Sequence, residues 1–318
     1  MSAPATRSAK ADPAGALASA HDDDAKAAQI IAAAAAIVKS ANTDPALQVF
    51  FDALFDGAPA EDVTHYAPES LAALAMEAFA KSATRKAGET LVTAFGFRAQ
   101  GPQHTHNETV LIAVNDDKPF LFDSLIAELT ANGARVHALF HPIFDVARDE
   151  NGVRSETGTT IRESTIVAVL ESISDEAQLE TLVNGAHDVF AQVRVAVRDW
   201  KKMVVALQET ISGLKQHPPQ IAPEELSESI AFLGWLADNH FTFLGCRDYT
   251  FSTENGGHLD PVLESGLGVL SDVEARVIRR GADRGQLTPE VLAFLNQPQP
   301  LIITKSNERS LIHRRVHM

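Results

Sequence analysis

The sequence predicts an α+β fold with an N-terminal helical subdomain, a β-α-β-β-α unit of the ferredoxin-like kind, a helical segment and a partial mixed α/β module. Three observations support this prediction. Apolar residues recur at helical spacing up to about residue 88, strand-like and helix-like periods then alternate up to about residue 200, and short strand-like runs return after residue 240.

The N-terminal part of the chain is rich in alanine. Residues 1–22 contain almost no large apolar side chain, so they cannot offset their chain entropy by burial and are predicted to be disordered. Helices are predicted at Asp24–Ser40, Thr43–Gly57 and Glu69–Ser82. Together they define a helical subdomain over residues 23–88, whose aromatic stripe we interpret as core or subunit contact.

Residues 89–200 are predicted to form the β-α-β-β-α unit. The predicted elements are, in order, strands Thr90–Phe97 and Thr109–Val114, a helix Pro119–Ala131, one long strand Arg135–Ala147, its return strand Thr165–Leu170 and a helix opening at Asp175. Leu121, Leu125 and Leu129 form one apolar stripe on the first helix, which we expect to pack on the sheet. The fourth strand of a complete unit is absent, replaced by Thr90–Phe97, or supplied by another subunit.

The last third of the chain is predicted to be a helical connector over residues 201–239 and a second α/β module over residues 240–318. A helix is predicted at Glu224–Asn239. The module is expected to contain strands at His240–Phe251 and Leu301–Thr304, with a helix at Pro289–Leu295 between them. Its final strand candidate, Ser310–Val316, runs to the end of the sequence, so we expect the module to be incomplete.

Composition excludes several classes of partner. Acidic residues outnumber basic ones 42 to 27, and the formal charge of -15 disfavours a nucleic-acid partner. The most apolar run, Ile30–Val38, is too short to cross a membrane and follows aspartates. The single cysteine, Cys246, cannot form an internal disulfide and is interpreted as a buried, inert thiol. These features predict a cytoplasmic protein.

Motifs for catalysis are weak. The best candidate for a nucleotide-binding turn, Gly266-Leu267-Gly268, lacks a third glycine and a following helix. His137 and His141 would lie about 13 Å apart on one strand, and His104 and His106 lie in a polar loop without a neighbouring carboxylate set. We therefore predict no catalytic residue, no cofactor-binding residue and no metal site within these 318 residues.

Four stretches together resemble one protein family. They are NDDKPFLFDSL (Asn115–Leu125), HPIFDVARDENG (His141–Gly152), ADNHFTFLGCRDY (Ala237–Tyr249) and TKSNERSLIHRRVHM (Thr304–Met318). In this order and spacing they are similar to the N-terminal region of the large class of bacterial NAD-specific glutamate dehydrogenases.

The resemblance implies a regulatory and assembly region with no activity of its own. In that family the N-terminal part contains ACT domains, with a PAS-like module and helical segments around them. The complete enzyme of glutamate catabolism uses NAD to deaminate L-glutamate oxidatively to 2-oxoglutarate and ammonia, and it is a homo-oligomer. The expected partners are therefore the rest of the same polypeptide, other subunits and a small amino-acid effector.

The resemblance also identifies a candidate site for a regulatory ligand or subunit contact. Its residues are Asn115, Asp116, Asp117, Pro119, Phe120, Asn132 and Gly133. In ACT domains the first strand–helix turn usually reads Asp-x-Pro-Gly-Leu, but here Phe120 follows Asp117-Lys118-Pro119. We expect the ring of Phe120 to fill the would-be pocket or to contact a neighbouring subunit. The alternative is that it faces its own core and leaves the pocket open.

Two other functions are alternatives to a regulatory region. The first is a free-standing ACT-type sensor that binds an amino acid, which the length of the native reading frame would distinguish. The second is a complete small enzyme, for which no assembled site is evident in the sequence.

Overall fold

The structure, a computed structural model, describes residues 13–101, 104–252, 258–274, 289–303 and 310–312. The described residues divide into two compact units. The first unit contains the residues up to Asp117 together with Leu129–His187, and the second contains Lys118–Glu128 together with the residues from Asp188 onward. Both helices and antiparallel strands are present, as the α+β prediction requires.

The first unit begins with four helices. They are α1 (Pro13–Ala41), α2 (Pro45–Phe55), α3 (Ala60–Thr64) and α4 (Pro68–Lys81). Disorder is predicted up to residue 22, but α1 begins at Pro13, because an alanine-rich sequence propagates a helix once part of it is packed. The remainder of the segment predicted to be disordered lies outside the described residues.

Local sequence explains where these helices start. Asp44 accepts a hydrogen bond from the backbone N–H of Ala46 at 2.9 Å, and Pro45 occupies the first turn, where its missing N–H costs nothing. Pro68 has the same role at the start of α4.

The central element of the first unit is an antiparallel sheet of five strands. The strands are β1 (Leu91–Gln100), β2 (Thr105–Asp116), β3 (Val136–Phe140), β4 (Ile143–Arg148) and β5 (Thr159–Glu171). The order is β1-β2-β5-β3, and β4 pairs with the other half of β5. β2 and β5 are each buried over eight consecutive residues, so both faces of the sheet centre are covered.

The question of the fourth strand is answered by β1. It pairs with β2 over its whole length, from Leu91 opposite Val114 to Gln100 opposite Thr105. The strand that precedes the β-α-β-β-α unit therefore occupies the sheet edge that β2 would otherwise expose. This is the second of the three alternatives that the sequence left open.

The long strand predicted at Arg135–Ala147 is instead two strands. The break falls at His141-Pro142, because proline has no N–H to donate to the ladder. The backbone oxygen of Pro142 still accepts a hydrogen bond from Thr165 at 3.0 Å, so β3 and β4 remain beside the same partner strand.

Helices α2 to α4 pack on one face of the sheet, α1 packs against these helices, and together they form one core with the sheet. This core contains Val110, Ile112 and Val114 of β2 together with the helical aromatic residues. Phe50 meets Phe144 with ring centroids 5.8 Å apart, and Phe55 meets Phe140 at 5.1 Å, both in edge-to-face geometry. The interpretation of the N-terminal aromatic stripe as core is therefore confirmed.

Two helices contribute residues to both units. Helix α5 (Leu121–Ala131) buries Leu121, Leu125 and Leu129, the predicted stripe, and ends before Gly133, whose φ is 76°. Helix α6 (Glu176–Gln216) continues without a break past Trp200, where a domain end was predicted. Asp175 caps α6 by accepting a hydrogen bond from the Ala177 N–H at 3.0 Å.

The second unit continues with α7 (Pro223–Trp235) and a kinked turn at Leu236–His240. Its other elements are β6 (Gly245–Cys246), β7 (Tyr249–Ser252), β8 (His258–Pro261), β9 (Leu267–Gly268) and α8 (Pro289–Leu295). The helix predicted at Pro289–Leu295 is confirmed.

Three predictions for the second unit need correction. The helix predicted up to Asn239 ends at Trp235, and Asp238 and Asn239 have non-helical φ and ψ. The strand predicted at His240–Phe251 is two short strands, and residues 301–303 have no regular structure. Residues 310–312 of the last predicted strand are also irregular, and the rest of that strand lies outside the described residues.

Candidate functional site

The predicted site begins at the end of β2, where polar side chains bond within the first unit. Thr90 donates its hydroxyl to Oδ1 of the buried Asn115 at 2.6 Å. The carboxylate of Asp116 accepts a hydrogen bond from Arg85 Nη1 at 2.9 Å and from the Gly88 N–H at 3.1 Å. Asp117 lies at the surface, 3.6 Å from Arg162 Nε. The side chains of Asn115 and Asp116 therefore bond to other residues of the first unit.

Arg85 links Asp116 to a buried ion cluster. Glu163 accepts hydrogen bonds from Nε of Arg85 at 3.0 Å and of Arg148 at 2.6 Å, and all three side chains are about 1% exposed. Arg148 also donates to the backbone oxygens of Ala83 and Gly152. The cluster therefore attaches two loops to the end of the sheet where β2 stops.

Phe120, in the turn after β2, has a left-handed backbone. Its φ is 72°, a conformation that costs a non-glycine residue about 1–2 kcal/mol. The first hydrogen bond of α5 follows at once, from the Ser124 N–H to the Phe120 oxygen at 3.1 Å. The backbone thus keeps the conformation for which glycine is the usual residue, although the side chain is phenylalanine.

Pro119 and Phe120 line a cavity of about 350 Å³ within the second unit. The ring of Phe120 is half-buried and forms part of the wall, so it does not fill the space. Asn239, the other non-glycine residue with a positive φ among the described residues, lines the same cavity. Of the seven predicted site residues, Pro119 and Phe120 belong to this cavity, whereas Asn132 and Gly133 form the C-terminal end of α5.

A cluster around Glu108 in the first unit was not found from the sequence. Its buried carboxylate lies 3.0 Å from His137 Nδ1 and 3.3 Å from His106 Nε2, and it accepts a hydrogen bond from the Tyr66 hydroxyl at 3.1 Å. Burial, together with the charge of Glu108, raises the pKa of Tyr66 far above its ordinary value. The one local signal was the spacing of His106 and Glu108, which places both on the same face of a strand.

These contacts correct the predicted surroundings of His106. His106 lies on β2 beside a carboxylate and not in an isolated loop, whereas His141 bonds through Nε2 to Ser164 Oγ at 2.8 Å. Among the residues that the structure describes, no group of three histidine, cysteine or acidic side chains is arranged to hold a metal ion.

The glycines at Gly266-Leu267-Gly268 serve close backbone packing. A Cβ at Gly268, whose φ is 59°, would lie 2.2 Å from the backbone oxygen of Leu244. The Gly268 N–H donates to the buried carboxylate of Asp199 at 3.0 Å, and Arg198 binds the same oxygen at 2.6 Å. The Arg198 guanidinium is the main reason that the pKa of Asp199 falls to about 2.

Cys246 and the apolar helices can also be compared with the sequence predictions. The thiol of Cys246 is half-buried, and this burial raises its pKa. None of the helices in the described ranges has the length and apolar character needed to cross a membrane.

The sheet topology and the order of elements define the class of the region from β1 to α6. An antiparallel β-α-β-β-α unit closed by a neighbouring strand is an ACT-type α+β arrangement, and residues 50–186 match the family model of the glutamate dehydrogenase ACT1 domain. The matched range starts within α2, so it includes helices that pack on the sheet.

The resemblance to NAD-specific glutamate dehydrogenases is confirmed by two curated relatives of that name. The relative from Halomonas elongata is 31% identical over 287 residues, and the alignment covers 87% of this chain and 17% of the relative. The relative from Pseudomonas aeruginosa is 30% identical over 228 residues, which cover 69% of this chain and 14% of the relative. The chain therefore spans less than one fifth of the length of these relatives.

Proposed function

We propose that the chain is the N-terminal regulatory and assembly region of an NAD-specific glutamate dehydrogenase. One observation carries the proposal. The two curated relatives align with most of this chain, but the alignments cover only a small part of the relatives' own length. The complete protein would oxidise L-glutamate with NAD to 2-oxoglutarate and ammonia in the cytoplasm. The ACT1 match supports the regulatory part of the proposal, since such domains are small-molecule-sensor modules in this family.

Assembly is the role that the first unit supports better than sensing. At the end of β2, Asn115 accepts a hydrogen bond from Thr90, and Asp116 binds Arg85 and the Gly88 N–H. These polar groups are engaged in holding the fold. We therefore propose that other subunits of a homo-oligomer, and the remainder of the same polypeptide, are the partners of this region.

The experiment compares three proteins in a spectrophotometric assay for NADH formation from glutamate and NAD. The 318-residue chain alone is expected to show no turnover, and the full-length protein to show turnover. A variant of the full-length protein from which residues 1–318 are deleted is expected to have a different number of subunits, as measured by analytical ultracentrifugation. Turnover that copurifies with the 318-residue chain, or a full-length protein inactive on glutamate, would disprove the proposal.

A further inference from the structure

We propose that the cavity beside Phe120 binds a neutral small molecule with a planar aromatic ring. The cavity measures about 350 Å³, within the range of sites that enclose small ligands. All of its described lining residues belong to the second unit.

The aromatic character of the walls selects a planar ring. Phe120, Trp200, Phe241 and Phe243 all contribute to the lining. Trp200 is 41% exposed and Phe241 is 59% exposed, so large apolar surfaces remain open to solvent in a place where burial would stabilise them. Aromatic side chains interact with a bound ring by offset stacking or edge-to-face contact.

The described lining fits a neutral molecule. Asn239 and Thr242 supply its polar side chains, and the other described lining residues are apolar. An amide and a hydroxyl can orient one polar group of a ligand by hydrogen bonds. A carboxylate or an ammonium group would lose its hydration without gaining an ionic partner, so charged ligands and zwitterions are disfavoured.

Backbone strain concentrates at the same cavity. Phe120 and Asn239 are the two non-glycine residues with positive φ in the described part of the chain, and both line it. Residues held in such conformations cluster at ligand sites, where the surrounding structure fixes them. The coincidence of both residues at one cavity therefore supports a pre-formed site over an incidental gap in packing.

The test uses three probes of nearly equal shape with the 318-residue chain. Benzamide is neutral, benzoate is an anion and benzamidine is a cation. Ligand-observed NMR titration should give saturable binding of benzamide with a dissociation constant of about 1 mM or lower. Benzoate and benzamidine should each bind at least about tenfold more weakly. Benzamide binding that does not saturate, or equal binding of benzoate, would overturn the proposal.

Variants locate the site. Phe241→Ala removes an exposed wall and should weaken benzamide binding at least about tenfold. Phe251→Ala is the matched control, since Phe251 is a partly exposed phenylalanine of the same unit that does not line the cavity. Asn239→Asp should reverse the preference in favour of benzamidine by adding a negative charge. Unchanged benzamide binding in Phe241→Ala, or equal losses in both alanine variants, would place the binding elsewhere and refute the assignment.

Discussion

The buried cluster around Glu163 makes the sharpest prediction about stability. Its carboxylate binds two guanidinium groups, and all three side chains are about 1% exposed. Removing one partner of a buried ion pair costs about 3–5 kcal/mol, because the remaining charge stays buried without compensation. Glu163→Gln keeps the shape of the side chain but removes its charge and replaces one acceptor oxygen with an NH₂ donor.

The expected loss for Glu163→Gln lies near the lower end of that range, about 3 kcal/mol. Two contacts of Arg85 moderate the loss. Its Nη1 also donates to Asp116 at 2.9 Å and to the Glu89 oxygen at 2.8 Å. Part of its charge thus remains compensated when Glu163 is neutralised. Among the described residues, the further acceptors of Arg148 are backbone oxygens, so Arg148 should account for most of the loss.

Urea denaturation followed by circular dichroism measures the free energy of unfolding. Hydrogen exchange of peptides from β2 and β5 then assigns the loss to the first unit. Glu156→Gln, an exposed change in the loop before β5, is the matched control and should stay within about 0.5 kcal/mol of wild type. If Glu163→Gln costs no more than this control, the charges are hydrated and the cluster does not stabilise the fold.

Three further predictions follow from other sites. Leu125→Ala should cost about 2–5 kcal/mol in urea denaturation, because Leu125 is fully buried, and an unchanged midpoint would contradict that burial. The pKa of Asp199 is lowered to about 2, so its stabilisation is complete above about pH 4 and is lost as the pH falls to about 2. Asp199→Asn should therefore lower the free energy of unfolding at pH 7 by about 1–2 kcal/mol, a value reduced because the cations beside it, Arg198 and Lys202, are exposed. The same variant should lose less stability than wild type between about pH 4 and pH 2. Isothermal calorimetry with glutamate and aspartate should show no saturable binding to the 318-residue chain below about 1 mM, because the described lining beside Phe120 has no charged partner for them. A micromolar dissociation constant for either would favour an amino-acid sensor.

Helix starts in the first unit were predictable because their causes are local. Asp44-Pro45 and Pro68 determine where α2 and α4 begin, and each effect acts within one helical turn. The stripe of Leu121, Leu125 and Leu129 was predictable for the same reason, since the helical period alone places the three side chains on one face. The break at Pro142 is also a local effect, which the strand prediction overlooked.

Long-range pairing could not be predicted in the same way. The sequence of Leu91–Gln100 predicts a strand but does not say which edge it joins, since the alternation of side chains is the same at either edge. The cluster of Glu108, His106 and His137 depends on β2 and β3 each pairing with β5. The register of those pairs brings His137 within 3.0 Å of Glu108, although 29 positions separate them in the sequence.

Phe120 shows how a departure from a family pattern can change a surface without changing the backbone. The φ of 72° is one that glycine readily adopts, and the Phe120 backbone oxygen accepts the first hydrogen bond of α5, from the Ser124 N–H. Since the turn geometry is kept, Phe120→Gly should relieve about 1–2 kcal/mol of backbone strain. The same change removes an aromatic wall from the cavity. The strained phenylalanine therefore changes the wall of the cavity and leaves the geometry of the turn as it is.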